Sequence, residues 1–333
     1  MLDMPDFQTT RFGRYELLKR LNVGELSLGF QARDTAAFGV TQDVFIKRVY
    51  DYNAQDPTFV EMFLEAAHIA VSFSHDNLVR VLDFGRVAGE YFLALEWVDG
   101  HSLCHVLHQA RRARGLKWLP APIAVGIAIE ICRGLHYLHT RLDARGAPLG
   151  FVRRNVYRGG VLMSFEGEVK IAYFGMDREW PQLATGVMRG KPVYFSPEQA
   201  RGHEMDARSD IYALGVLLYQ MLCGGLPFGD ADSDFGRISS IVEGRLVSAR
   251  EFNPSLDVAL LAILQRMLAR SRDDRYPTAE ALQQALSDWM STQAPMSPAD
   301  MRKQFMGELF PQGLDTHERV PVLPVPGFPF TRD

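Results

Sequence analysis

The chain has 333 residues, 47% of them hydrophobic and 23% charged, which is enough apolar material for a sizeable core and for two lobes or domains. Its 36 basic and 40 acidic side chains leave a formal net charge of -4, so no global positive field is available to attract nucleic acid or an anionic membrane. Cys104, Cys132 and Cys223 are far apart and show no paired spacing, which argues against a disulfide framework or a zinc site and for a reducing, cytoplasmic setting.

The first residues, MLDMPDFQTTRFGRYELL, lack the basic-then-apolar order of a secretion signal, and residues 1–14 read as an N-terminal extension. From Tyr15 the runs YELLKRL, LGFQARD and DVFIKRVY, separated by Gly and Asp, predict antiparallel strands. DPTFVEMFLEAAHIAVSF then predicts a helix. Asp56 supplies the cap, Pro57 takes the first position, and Phe59, Met62, Phe63, Ala66, Ile69 and Phe73 mark one apolar face. Strands return in NLVRVLDFG and EYFLALEWV, and the turn signal Asp99-Gly100 closes a first lobe at residue 98.

Beyond that point the pattern is helical, over 102–113, 121–140, 208–223, 234–244, 257–269 and 277–291. Ile123 to Leu138 is apolar but contains Glu130 and Arg133, and Ile211 to Leu222 is too short to span a bilayer. Both therefore predict buried helices. After Thr292 one short amphipathic segment, ADMRKQFMGELF, precedes the Pro-rich end VPVLPVPGFPF, which predicts a flexible or surface-hugging tail.

Three long motifs stand out: GKPVYFSPEQARG at 190–202, DARSDIYALGVLLYQMLCGGLPF at 206–228, and RDDRYPTAEALQQAL beginning at Arg272. With the order strands, helix, strands, hinge, helices, they resemble the eukaryotic-like Ser/Thr protein kinases of bacteria over about Tyr15 to Trp289. The resemblance implies an α+β, bilobal protein-kinase-like fold. Its small β-rich lobe (15–98) carries one main helix, its larger lobe (99–291) is mostly α-helical, and residues 292–333 form an extension. Ser196-Pro197-Glu198 would close the activation loop, Asp210 would lead a buried central helix, and Arg275 would pair with Glu198. A buried carboxylate needs such a partner, and arginine offers it a fork.

The same resemblance identifies the positions where phosphoryl-transfer chemistry would reside, and several have lost their usual residue. Lys47 of VFIKRV stands where a lysine contacts the α and β phosphates of a nucleotide. Its helix partner, a glutamate in the family, falls at Ala66, while Glu65 next to it points about 100° away. The phosphate-covering glycines correspond to Asn22, Gly24 and Ser27, with Glu25 placed to repel a triphosphate. Leu95 matches the gatekeeper, and the backbone of Glu96 to Val98 would read adenine. FVRRNVYRGGVL aligns without gaps on His-Arg-Asp-x-x-x-x-Asn, so Arg153 and Arg154 lead into Asn155 at the catalytic aspartate and Gly160 at a metal ligand. KIAYFGM then puts Tyr173 where an aspartate would hold Mg²⁺. Asp143, Glu168 and Asp177 are nearby in sequence but match none of these positions.

These departures imply a pseudokinase, a signalling protein used as a binding or allosteric module with little or no phosphotransfer. No metal or other cofactor is expected, and ATP binding is expected to be weak or absent and insensitive to Mg²⁺. The expected partner is another protein, either an active kinase or a further signalling protein, and neither nucleic acid nor a membrane. The small-lobe helix, the 176–197 loop and the Pro-rich tail are the surfaces for it. The alternative is an unconventional or weakly active ATP-dependent Ser/Thr protein kinase. It would bind ATP through Lys47, with Arg153, Arg154 and Arg158 partly replacing metal and Thr185 as a modification site opposite Arg154. A nucleotide sensor without turnover stands between the two.

Overall fold

A computed structural model describes residues 9–23, 27–35, 41–143, 145–172, 192–228, 233–293 and 297–311. The chain divides into two compact units. Of the described residues, the first contains those up to Ser72 together with Arg80–Trp97, and the second contains Phe73–Val79 and those from Val98 to 311.

The first unit is a six-stranded antiparallel sheet with a helix. Strands β1 (Thr10–Phe12), β2 (Tyr15–Val23), β3 (Ser27–Asp34) and β4 (Gln42–Val49) are followed by α1 (Asp51–Ala54), α2 (Pro57–Val71), β5 (Val81–Val87) and β6 (Glu90–Glu96). The strand order is β1-β2-β3-β4-β6-β5. Alternation in β4 sets its faces: Val44 and Ile46 are buried, whereas Phe45 and Lys47 are only partly covered, as the two-residue period of a strand requires. Val44 and Ile46 join Phe12, Tyr15, Leu17, Phe30, Ala32, Phe92 and Ala94 in one core. Phe12 and Tyr15 each meet the Phe92 ring edge-on at 5.6 Å. Part of the segment read as an N-terminal extension is thus a strand, with Phe12 paired to Tyr15 across the β1–β2 turn.

Helix α2 starts where the sequence indicates. The Asp56 carboxylate accepts from the amides of Thr58 (2.9 Å) and Phe59 (3.4 Å), and Pro57 opens the first turn. Phe59, Phe63, Ala66, Ala67 and Ala70 are buried, while Met62 and Ile69 are half-buried. Phe73, expected on the same face, belongs elsewhere. The helix ends at Ser72, and Phe73 packs in the second unit, edge-on to Tyr137 (6.3 Å) and Phe151 (5.5 Å). A helical period carries no information past the residue where the helix stops.

The second unit runs through β7 (Gly100–Ser102), α3 (Leu103–Arg114), α4 (Ala121–His139), β8 (Val161–Ser164), β9 (Val169–Ile171), α5 (Pro197–Ala200), α6 (Ala207–Cys223), α7 (Asp234–Glu243), α8 (Ala249–Phe252), α9 (Val258–Met267), α10 (Ala279–Ser291) and α11 (Pro298–Leu309). Helices α4 and α6 pack together at its centre, with α10 against α4 and α9 against α6. From Ser209 to Cys223 every residue of α6 except Gln220 is buried, the pattern of a helix covered on all sides. α4 is long and apolar enough to cross a membrane by length and composition, but 67% of its apolar window is buried within the protein, so it reads as a core helix.

Strands β7, β8 and β9 form a small antiparallel sheet that the sequence pattern did not reveal, because strands of three or four residues are too short to display a period. Gly100 is essential to it: a Cβ there would lie 1.9 Å from the carbonyl oxygen of Met163.

Candidate active site

The loop from Phe151 to Gly160 is hung on Asp210, a fully buried residue in the first turn of α6. One carboxylate oxygen accepts from the Arg153 amide (2.7 Å) and from Nε2 of His139 (2.8 Å), which requires the Nε2-protonated imidazole. The other accepts from the Arg154 amide at 2.7 Å. Just after these bonds Arg154 holds φ at 61°, in the left-handed region that costs a residue with a side chain roughly 1–2 kcal/mol. Charge-assisted bonds to two successive amides offset that strain. The Arg153 side chain is itself buried, and its Nη2 donates to the Ala172 carbonyl at 2.8 Å, tying the loop to the residue just before Tyr173.

Asn155 follows in this frame, half-buried and next to the buried Val156. Gly160 sits at the end of the loop, its amide bonded to the Tyr157 carbonyl (2.9 Å) and its carbonyl to the Ala172 amide (2.8 Å). The Tyr157 ring lies across both glycines. A Cβ built at Gly159 would meet it at 2.7 Å, and one at Gly160 would meet it at 3.1 Å. Gly160 has no side chain, and one added there would press on the Tyr157 ring, a contact visible only once the loop is folded.

In the first unit Lys47 is half-buried on β4, opposite Gly29 of β3 and Leu93 of β6. Ala66 is buried in α2 and Glu65 beside it is exposed, so the two neighbours face different ways. Leu95 is fully buried between Phe45 and Val81. Glu96 closes β6, with its amide on the Arg80 carbonyl (2.9 Å) and its carboxylate accepting from the Arg80 amide (3.1 Å). Val98 is half-buried at the start of the second unit's main segment. Gly24, Glu25, Tyr173, Asp177 and Thr185 lie outside the described residues.

Of the remaining carboxylates near the loop in sequence, Asp143 is exposed and accepts from the amides of Arg145 (2.8 Å) and Ala147 (2.9 Å) within its own turn, and Glu168 is exposed. Hard Mg²⁺ prefers carboxylate and water oxygens. Among the described residues of the loop, Asn155 offers a neutral amide and Gly160 no side chain, so neither supplies a carboxylate for such an ion.

The structural anchor below the loop is the pair Glu198–Arg275. Nη1 and Nη2 of Arg275 donate to the two carboxylate oxygens at 2.7 and 2.8 Å, and Ser209 Oγ donates to the carboxylate at 2.7 Å. The guanidinium also reaches the carbonyls of Ala269 (2.9 Å) and Arg208 (3.0 Å) and lies 4.9 Å over the Tyr212 ring. Burial pushes the Glu198 carboxyl up, but the Arg275 fork and the Ser209 hydroxyl outweigh it and hold it at about 2.

The sequence profile of the protein kinase domain matches residues 15–287. The chain belongs to the protein kinase family. It has the family's curled β-sheet N-lobe and helical C-lobe, and it resembles the kinase domain of Mycobacterium tuberculosis PknI with a TM-score of 0.63 at 21% identity, over 84% of this chain and 98% of that one. Among curated protein kinases it is similar to the tyrosine-protein kinase MasK of Myxococcus xanthus, 34% identical over 316 residues that make up 94% of this chain and 48% of the relative. It is also similar to the serine/threonine-protein kinase PksC of Streptomyces coelicolor, 32% identical over 279 residues that make up 81% of this chain and 48% of the relative. The chain thus spans about half the length of the curated protein kinases it matches.

Proposed function

We propose that this member of the protein kinase family is a pseudokinase, a signalling protein that works as a binding or allosteric module with little or no phosphotransfer. The observation that supports this most is Asn155 at the position of the catalytic aspartate, in a loop whose backbone is held by Asp210 at the amides of Arg153 and Arg154. An amide hydrogen-bonds a substrate hydroxyl but cannot take its proton. Phosphoryl transfer rests on positioning and charge neutralisation, and losing a single stabilising group commonly costs about 10²-fold or more. Here the base and both metal-ligand positions are altered together, with Tyr157 filling the space beside Gly160.

On this reading no metal is required, and ATP binds weakly or not at all, whether or not Mg²⁺ is present. The partner is a second protein, an active kinase or another signalling component, met through α2, the 176–197 loop or the Pro-rich tail. The setting is cytoplasmic, in keeping with the free thiols of Cys104, Cys132 and Cys223.

A second reading, a weakly active ATP-dependent Ser/Thr or Tyr protein kinase, is favoured by the names of the relatives, which are kinases of both kinds. A thermal-melt titration with ATP, with and without Mg²⁺, separates the two. The pseudokinase shows a small shift that Mg²⁺ leaves unchanged, whereas a large Mg²⁺-dependent shift together with label transfer to a generic substrate overturns the proposal.

A further inference from the structure

Helix α11 lies beyond residue 287, where the match to the kinase domain stops, yet it is built into the second unit. It begins with its own cap: Ser297 Oγ accepts from the Asp300 amide at 3.1 Å, with Pro298 in the first turn. Phe305, Met306 and Leu309 are buried, and the Phe310 ring sits 4.3 Å from that of His101. The contact that matters most is polar. Arg302 is buried, its Nε donates to the Gly167 carbonyl at 2.7 Å, its Nη1 to the Gly126 carbonyl at 3.3 Å, and its Nη2 to Glu130 at 3.1 Å.

The receiving surface is shaped for this helix. A Cβ at Gly126 would stand 3.2 Å from Nη1 of Arg302. At Gly167, where φ is +84°, one would stand 2.7 Å from the Ala299 oxygen and the Lys303 nitrogen. Backbone thus meets backbone at the β8–β9 turn.

Glu130 carries the contact onward. Its second oxygen accepts from Nδ2 of Asn77 at 2.9 Å, and the same Nδ2 donates to the Val169 carbonyl at 3.0 Å. The Asn77 carbonyl in turn accepts from the Ile171 amide (2.8 Å), and the Ile171 carbonyl accepts from the Val79 amide (2.9 Å). We infer that α11 is an intramolecular latch: through Arg302, Glu130 and Asn77 it holds residues 77–79 against β9, the strand that ends two residues before Tyr173. A partner that lifts the helix, or a cut before it, releases that strand. The inference does not depend on whether the domain catalyses anything.

Hydrogen exchange on the full chain tests it. Arg302→Met leaves Glu130 with Arg133, whose Nη1 donates at 3.0 and 2.9 Å, so no buried charge is orphaned. The amides of Val79 and Ile171 are expected to exchange roughly tenfold faster or more, with the amides of Leu214 to Leu218 in α6 unchanged. Lys303→Ala, which removes only the exposed pair with Glu166, should leave Val79 and Ile171 at the wild-type rate. Faster exchange confined to α11, or spread equally into α6, overturns the latch. Coupling is reciprocal, so Asn77→Ala must speed exchange in α11, and an unchanged α11 in that variant overturns it independently.

Discussion

Replacing Glu198 by Gln tests whether a single ion pair holds the second unit together. The fork of Arg275 is fully buried and the Glu198 side chain is 9% exposed, so the amide leaves a guanidinium charge with nowhere to go. Removing one partner of a buried pair costs about 3–5 kcal/mol. The titration of Glu198 supplies a separate figure: lowering its carboxyl from 4.5 to about 2 corresponds to about 3 kcal/mol at neutral pH. Because the folded value lies below the unfolded one, this stability is present above pH 4.5 and is lost as the pH falls towards 2.

Denaturant titrations of wild type and Glu198→Gln should therefore differ by about 3 kcal/mol at pH 7, with melting lowered by about 5 °C, and the gap should close between pH 4.5 and 2. The double replacement Glu198→Leu with Arg275→Met, which removes both charges, should recover most of the loss. Equal midpoints at pH 7, or a gap that stays constant down to pH 2, would refute the assignment of the stability to this pair.

The ring of Tyr157 gives a packing test. Gly159→Ala places a methyl 2.7 Å from it and should destabilise by about 1–3 kcal/mol in urea titrations, less when Tyr157→Ala is present as well. His101 provides a test in acid. Burial, with His105 adding to it, pushes its imidazole down to about 4 from 6.5, so the unfolded chain takes up the proton first and stability falls as pH drops from 6.5 to 4. Melts of His101→Phe across that interval should be flatter than those of the wild type, and an identical slope would count against the burial of this ring.

The cap at Asp56-Pro57, the start and end of most helices, and the order of motifs that marks a kinase domain could all be read before folding, because they depend on residues within a few positions of one another. The structure adds what local spacing does not carry. Arg302 and Gly167 are 135 residues apart, and nothing in the amphipathic pattern of α11 says which surface receives it or that an arginine on it is buried. Phe73 shows the same limit at short range, where the apolar period runs on past the residue that ends the helix.

The identity of this chain as a protein kinase family member follows from its residues in order, since the motifs that mark the family are runs of neighbouring residues. The packing of the Tyr157 ring against Gly159 and Gly160, the hanging of the loop on Asp210 and the contacts that run from α11 to β9 were decided only by folding. Each joins groups whose separation along the chain is unrelated to their separation in space, and only the packed core brings them within bonding distance.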